Sequence, residues 1–398
     1  MTRIVIALGI TQVIGYGSLY YAFTLLVPPV AAEFAVSQTL LFAVFSAGLL
    51  LGGFCAPLAG RLMDRHGAPL VMAFGSPLAG VVLIILALSP NVFVFGAGLI
   101  LIEIISVAVL YDAAFATLVR FGGGGARRAI TNLTLIAGFA STLFWPLTDV
   151  LIDAVGWRGT YGVFALMHLS VTFGLHLWIG RQSVAPQSAA SDAALVRALP
   201  KVLPADLAQM AYPIVAVSFA LTGALVAAFG VHMVPVLVGV GMGAQATLVA
   251  MLMGPAQVMI RLVDTLFWRG LHPLSVASIS ALAMPIAVGG VLIGLPVWIA
   301  APLFAMLFGV GQGLASIVRG SVPLVLFGSK GYGARLGRLA LIRTLIAASA
   351  PLVFALSRDG LGLTATLGLF LVLGLVAAGA LIWLRVRLAT AEALAPLR

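Results

Sequence analysis

Charged residues are scarce in this sequence. Asp, Glu, Lys and Arg make up 8% of its 398 residues while 62% are hydrophobic, and the mean hydropathy is +1.20. A soluble chain of this length has too little interior to hide that much apolar surface, so lipid must solvate most of it. Cys55 is the only cysteine; that excludes an internal disulfide, and its apolar neighbours mark it as a packing residue. There is no Gly-rich loop ending in Lys-Ser/Thr, so direct drive by ATP is unsupported. His-Glu-x-x-His, a Gly-x-Ser-x-Gly nucleophile and an acidic metal motif are missing too, and an enzyme is not expected. His168 and His176, on one side of a single apolar run, and His232 have no Cys or carboxylate at ligand spacing, so neither a metal nor a cofactor is expected. No cleavable signal is evident: the first apolar run, Ile4 to Val30, is too long for one.

What is present is a series of apolar runs of membrane-crossing length, about 20 residues at 1.5 Å each. Twelve spans are predicted, at 4–30, 38–59, 70–89, 92–119, 129–154, 159–180, 207–238, 245–267, 273–294, 298–327, 336–356 and 362–384. The long polar connection 181–206, rich in Ser, Ala, Gln and Pro, reads as a cytoplasmic linker between two six-helix bundles, 1–180 and 207–398. The bundles repeat weakly at an offset of about 207 residues, which lays Pro28 on Pro235 and Asp112 on Arg319. Arg3, Arg61, Arg65, Arg120, Arg127, Arg128, Arg181, Arg197, Lys201, Arg269, Lys330, Arg335, Arg338, Arg385, Arg387 and Arg398 fall on alternate connections or at the termini. The other connections hold only Arg158 and Arg358. That bias predicts a multi-pass protein of the inner (cytoplasmic) membrane with both termini in the cytoplasm. The net charge of +10 therefore reports orientation, not a nucleic-acid partner.

Between the second and third runs lies Gly60-Arg61-Leu62-Met63-Asp64-Arg65-His66-Gly67, read as a tight charged turn in which Asp64 sits among cations it can pair with. Gly60-x-Leu62-x-Asp64-Arg65-x-Gly67 resembles the loop signature between helices two and three of the major facilitator superfamily of secondary transporters. Ala68 and Pro69 stand where that family usually has two basic residues. Gly156-Trp157-Arg158 resembles the family's external turn, and Pro146 matches the fifth-span proline of its antiporters, with Trp145 and Asp149 where that signature has glycine. Gly311-Gln312-Gly313 and Arg319-Gly320-Ser321-x-Pro323-Leu324 look like a subfamily pattern. The resemblance implies an all-α integral membrane protein: twelve transmembrane helices in two pseudo-symmetric six-helix bundles, with a substrate site between them near the midplane.

Charges at membrane depth are costly, so they face the protein interior and take partners. The candidates are Glu103 and Asp112 on the fourth span, Arg261 and Asp264 on the eighth, Arg319 on the tenth and Arg343 on the eleventh. Arg261 resembles the eighth-span arginine of the monocarboxylate and oxalate transporters, which engages substrate carboxylate; a guanidinium keeps its charge when desolvated and grips a carboxylate with two parallel bonds. Asp264, three residues on, is the competing partner. Arg319 shares a helix face with Gln312 and is a candidate to meet Asp112 across the bundles, as a gate or a static bridge. Glu103 and Asp112 are the candidate proton carriers; at 100° per residue they fall on opposite faces of a continuous helix. Gln12, Tyr16 and Tyr20 recur every four residues as a polar-aromatic stripe suited to lining a substrate or to packing, and Trp145, deeper than the other tryptophans, is a candidate cavity wall. Asp64, Arg65, Asp264 and Arg343 are candidate gating residues.

These features predict a secondary active transporter whose partners are the bilayer, a small solute and a co-transported proton. A carboxylate-like organic anion taken up by symport is the leading reading. Proton-driven export of a drug or toxic compound is its rival, and an intramembrane enzyme a distant third.

Overall fold

The computed structural model describes residues 1–182, 205–268 and 270–394. The expected linker 181–206 lies almost wholly outside them. Every regular element among the described residues is helical, as a chain solvated by lipid requires when its backbone must satisfy its own hydrogen bonds.

Among the described residues the long helical segments, taken between their breaks, run in order. They are α1 (Thr2–Glu33), α2 (Gln38–His66), α3 (Ala68–Ala87), α4 (Val92–Val109 and Tyr111–Gly122), α5 (126–155) and α6 (157–181). Then come α7 (Ala205–Leu237), α8 (Met253–Phe267), α9 (Pro273–Leu292), α10 (Val297–Phe327), α11 (332–361) and α12 (363–394). Local chemistry sets the ends. Ser37 Oγ accepts the Leu40 amide at 3.2 Å and Asn91 Oδ1 accepts those of Phe93 and Val94, so both are N-caps. Gly156 (φ 69°) and Gly362 (φ 82°) turn otherwise continuous helix without a side chain in the way. They stand 206 residues apart, close to the offset read from the sequence.

Three features depart from expectation. The charged stretch after Gly60 is not a turn: α2 stays helical to His66, and the reversal rests on Gly67 alone (φ 91°, ψ 132°). Long basic side chains let a helix overrun the bilayer core by carrying their charge outward, and Arg61 and Arg65 are exposed. α1 contains a π-turn at Gly17–Tyr21 and α6 one at His168–Thr172, so neither keeps 100° per residue throughout. α4 is broken at Leu110, whose φ/ψ of −88°/−160° is extended.

The described residues form two compact units, one within Met1–Lys201 together with Gly328–Leu341, the other within Val202–Phe327 and Ile342–Arg398. The start of α11 thus groups with the first unit. The core of the first unit gathers Phe45, Phe95, Phe144, Trp157, Tyr161 and Phe164. That of the second centres on Phe229, whose ring lies 5.2–5.8 Å from those of Phe304, Phe308, Phe354 and Phe370. Phe74, Phe93, Phe267 and Trp298 point outward, as the lipid-facing surface of a multi-pass membrane protein demands.

Candidate functional site

In the first unit the break in α4 organises its surroundings. The Ala113 and Ala114 amides both bond to the Leu110 carbonyl, so the Val109 carbonyl is passed over by the helix. Gln12 takes it: its Nε2 donates to Val109 O at 2.8 Å. Gln12 is fully buried and its Oε1 has no hydrogen-bond partner, so it does not line an open face with Tyr16 and Tyr20 as the four-residue spacing suggested. The π-turn lies beyond both Gln12 and Tyr16; it shifts the register only between Tyr16 and Tyr20 and brings Tyr21 into play.

The rings form a connected array. Tyr16 lies 4.6 Å from Tyr111 and 6.5 Å from Tyr21; Tyr21 meets Trp145 edge-on at 6.0 Å and Tyr20 at 5.3 Å. Trp145 Nε1 also donates to the Tyr21 carbonyl at 3.3 Å. Tyr20 and Trp145 keep 43% and 49% of their surface accessible, while Tyr111 is buried. Tyr21 and Tyr111 were missed in the sequence; the Tyr20-Tyr21 pair was the available signal for the first, and nothing in the hydropathy marked the second.

Glu103 is buried in α4 against the glycines of α2: a Cβ on Gly48 would come 3.1 Å from its Cγ, and one on Gly52 2.8 Å from its carbonyl. Its Oε1 has no hydrogen-bond partner. The opposite-face reckoning for Glu103 and Asp112 does not survive, since the break at Leu110 separates them. Asp112 instead occupies the first turn of the helix that restarts at Tyr111, where a carboxylate suits the helix dipole.

Asp64 corrects another expectation. Its carboxylate does not serve the neighbouring arginines but accepts the Gly333 and Ala334 amides, each at 2.8 Å. These lie in the first turn of α11, whose amides lack partners within the helix. Small residues allow the approach: a Cβ on Gly60 would overlap the Gly333 carbonyl, and one on Gly337 the Ala56 carbonyl. Arg65 is exposed beside it.

In the second unit a polar seam joins α8 and α10. Gln257 Nε2 donates to Gln312 Oε1 at 2.9 Å, and Arg261 Nε donates to the Gly313 carbonyl at 3.3 Å. Ser316 Oγ donates to the same carbonyl at 2.7 Å. Arg261 and Asp264 are 7% and 5% exposed. Gly309, Gly311 and Gly313 explain the closeness, since residues two apart face different neighbours. A Cβ on Gly313 would come 2.8 Å from the Gln257 carbonyl and one on Gly311 2.9 Å from that of Ser280, and one on Gly309 would overlap the Met253 carbonyl. Gln257, one turn before Arg261, was overlooked in the sequence. Arg319 and Arg343 are half-buried in the same unit, and the Arg343 stem packs where a Cβ on Gly223 would reach its Cγ at 2.8 Å.

No family profile matches the sequence, and no curated protein resembles it at sequence level. Solved structures do. The human organic anion transporter MFSD10 (TETRAN) matches with a TM-score of 0.71 at 17% identity, over 95% of this chain and 98% of its own. The E. coli fucose:proton symporter FucP matches at 0.70 and 15%, over 97% and 98%. The proton:xylose symporter XylE, bound to 6-bromo-6-deoxy-D-glucose, matches at 0.67 and 12%, over 95% of each chain. This chain has the major facilitator fold.

Within that fold the Gly156-Trp157-Arg158 turn has a physical task in the first unit. Arg158 grips Glu33 Oε1 through Nε (3.1 Å) and Nη2 (2.6 Å) and donates Nη1 to the Ala87 carbonyl at 2.8 Å. Trp157 Nε1 donates to Glu33 Oε2 at 2.6 Å, and the guanidinium carbon sits 4.3 Å from the centre of the Trp157 ring. The ends of α1, α3 and α6 are pinned by one arginine, a charge-assisted fork. Major facilitator structures of such low identity carry the fold to this chain, not the chemistry of its site.

Proposed function

We propose that this chain is a secondary active transporter of a small organic anion of the carboxylate class, coupled to protons and working by alternating access. The observation that carries the reading is the buried Arg261, whose Nε is tied to the Gly313 carbonyl. A guanidinium oriented through Nε is preorganised for two-pronged recognition of a carboxylate. Gln257 and Gln312 supply amides on the same seam, with Arg319 a further anion contact and Asp264 the competitor that substrate displaces. Glu103 carries the coupled proton, with Asp112 as a second candidate. Asp64 closes a gate that opens when the Gly333 and Ala334 amides are released, with Arg65 and Arg343 assisting. The name of one structural neighbour, an organic anion transporter, supports the anion, and those of two proton symporters support the coupling.

In this reading residues 1–180 and 207–398 are the two moving bundles, 181–206 links them, and the arginine-rich connections and both termini face the cytoplasm across the inner membrane. Labelled carboxylates are expected to accumulate in proteoliposomes under an imposed proton gradient. Arg261→Lys is expected to abolish that uptake while protein yield and helix content persist. Uptake that survives Arg261→Lys, or no carboxylate flux at all, would sink the assignment.

A second reading is proton-driven efflux of an apolar or toxic compound, favoured by the accessible rings of Tyr20 and Trp145. Drug accumulation in cells that rises on deletion, with no carboxylate flux, would select it.

A further inference from the structure

We infer that the first unit carries a groove for an anionic phospholipid at the arginine-rich end of α2 and α3, an inference that stands whether or not the transport reading does. The groove has a volume of about 360 Å³. One wall is Leu62 and His66 of α2, the other is Leu70, Phe74 and Leu78 of α3, and Gly75 and Ala108 lie at its base. Leu70, Phe74 and Leu78 recur every four residues, a stripe about 12 Å long at the rise of an α-helix. They are 45%, 71% and 50% exposed, so in a bilayer this wall meets acyl chains, and an apolar slot is their complement.

Basic residues neighbour the His66 end of the slot without lining it. His66 is its polar lining residue, and it ends the helix. The Arg120 guanidinium fills the space that a Cβ on Gly67 would take. Arg61 and Arg65 are exposed on the last turns of α2. Asp64, the acid of this stretch, is bonded to the Gly333 and Ala334 amides. A chain-shaped apolar slot beneath a basic rim matches one acyl chain below a phosphate headgroup, because juxtamembrane arginines attract anionic lipid.

The test uses the purified full-length protein in mixed micelles holding equal phosphatidylglycerol and phosphatidylcholine, with retained lipid counted by native mass spectrometry. One phosphatidylglycerol is expected to stay bound in preference to phosphatidylcholine. Ala108→Phe, which fills the base of the slot, is expected to remove it. Arg61→Gln, at an exposed side chain outside the slot's lining, is expected to lower the preference about fivefold, the order of one basic residue at a charged surface. Equal retention of the two lipids, preference for the neutral one, or a phosphatidylglycerol that survives both substitutions would overturn the proposal.

Discussion

At the scale of single residues the molecule turns on where polar groups find partners. Breaking α4 at Leu110 strands the Val109 carbonyl in an environment that offers no water, and one glutamine on another helix answers it. Replacing Gln12 with leucine preserves volume and removes the donor. A buried acceptor left without a partner costs about 1–3 kcal/mol, so Gln12→Leu is expected to lower unfolding stability by that order, read by equilibrium denaturation in SDS. A loss below the error of that measurement would mean the carbonyl has another donor. The amide could not be assigned this duty from sequence, where Gln12 looks like the first member of a stripe. Four-residue spacing marks a shared helix face but not what packs against it, and Gln12 is claimed by a carbonyl 97 positions away on another helix.

At the scale of elements, small residues decide how closely helices run. Gly311 presses on α9, where an added Cβ would sit 2.8 Å from Met284 Cγ and 2.9 Å from the Ser280 carbonyl. Backbone cannot yield as a flexible side chain can, so Gly311→Leu is expected to cost about 1–3 kcal/mol, the usual penalty of overpacking. Gly368 has no atom within 4 Å of such a Cβ; there Gly→Ala is expected to be neutral or to stabilise by up to about 1 kcal/mol. Thermal denaturation of the pair checks both signs. Asp64 acts on an element as well, by capping α11. Asp64→Ala removes two accepted bonds, a loss of about 0.5–2 kcal/mol for a cap, and is expected to loosen that turn. In a Cys55→Ser background, a thiol from Ala334→Cys should then react faster with a water-soluble maleimide; an unchanged rate would deny the cap its role. Rough span positions were legible because runs such as Val92 to Val119 are apolar apart from Glu103, Asp112 and a few uncharged polar residues. For the same reason the break inside that run was not, since Leu110 is as apolar as its neighbours and its geometry depends on Gln12, 98 positions earlier. The Asp64 cap was equally hidden: its partners are backbone amides at Gly333 and Ala334, and backbone leaves no mark in a sequence.

At the scale of the whole molecule, the three candidate arginines within the spans share one unit, and of the three candidate carboxylates only Asp264 lies with them. Glu103 and Asp112 belong to the first unit, while Arg261, Arg319 and Arg343 belong to the second, with Asp264 beside Arg261. A carboxyl can bind and release a proton, whereas a guanidinium stays charged and can only hold an anion. The proposed coupling therefore separates into two tasks on two units, and the tasks should fail independently. Glu103→Gln keeps the shape of the buried side chain and ends its traffic in protons. Counterflow, in which labelled and unlabelled substrate trade places at equal pH, needs no net proton movement, so it should persist in Glu103→Gln while accumulation driven by a pH gradient disappears. Arg261→Lys should abolish both, because no anion is held to be exchanged. If Glu103→Gln still concentrated substrate against a gradient, the proton would have to travel through Asp112 or another group. If it lost counterflow as well, Glu103 would be part of the substrate contact or of the packing against Gly48 and Gly52, and the division between the units would have no functional meaning.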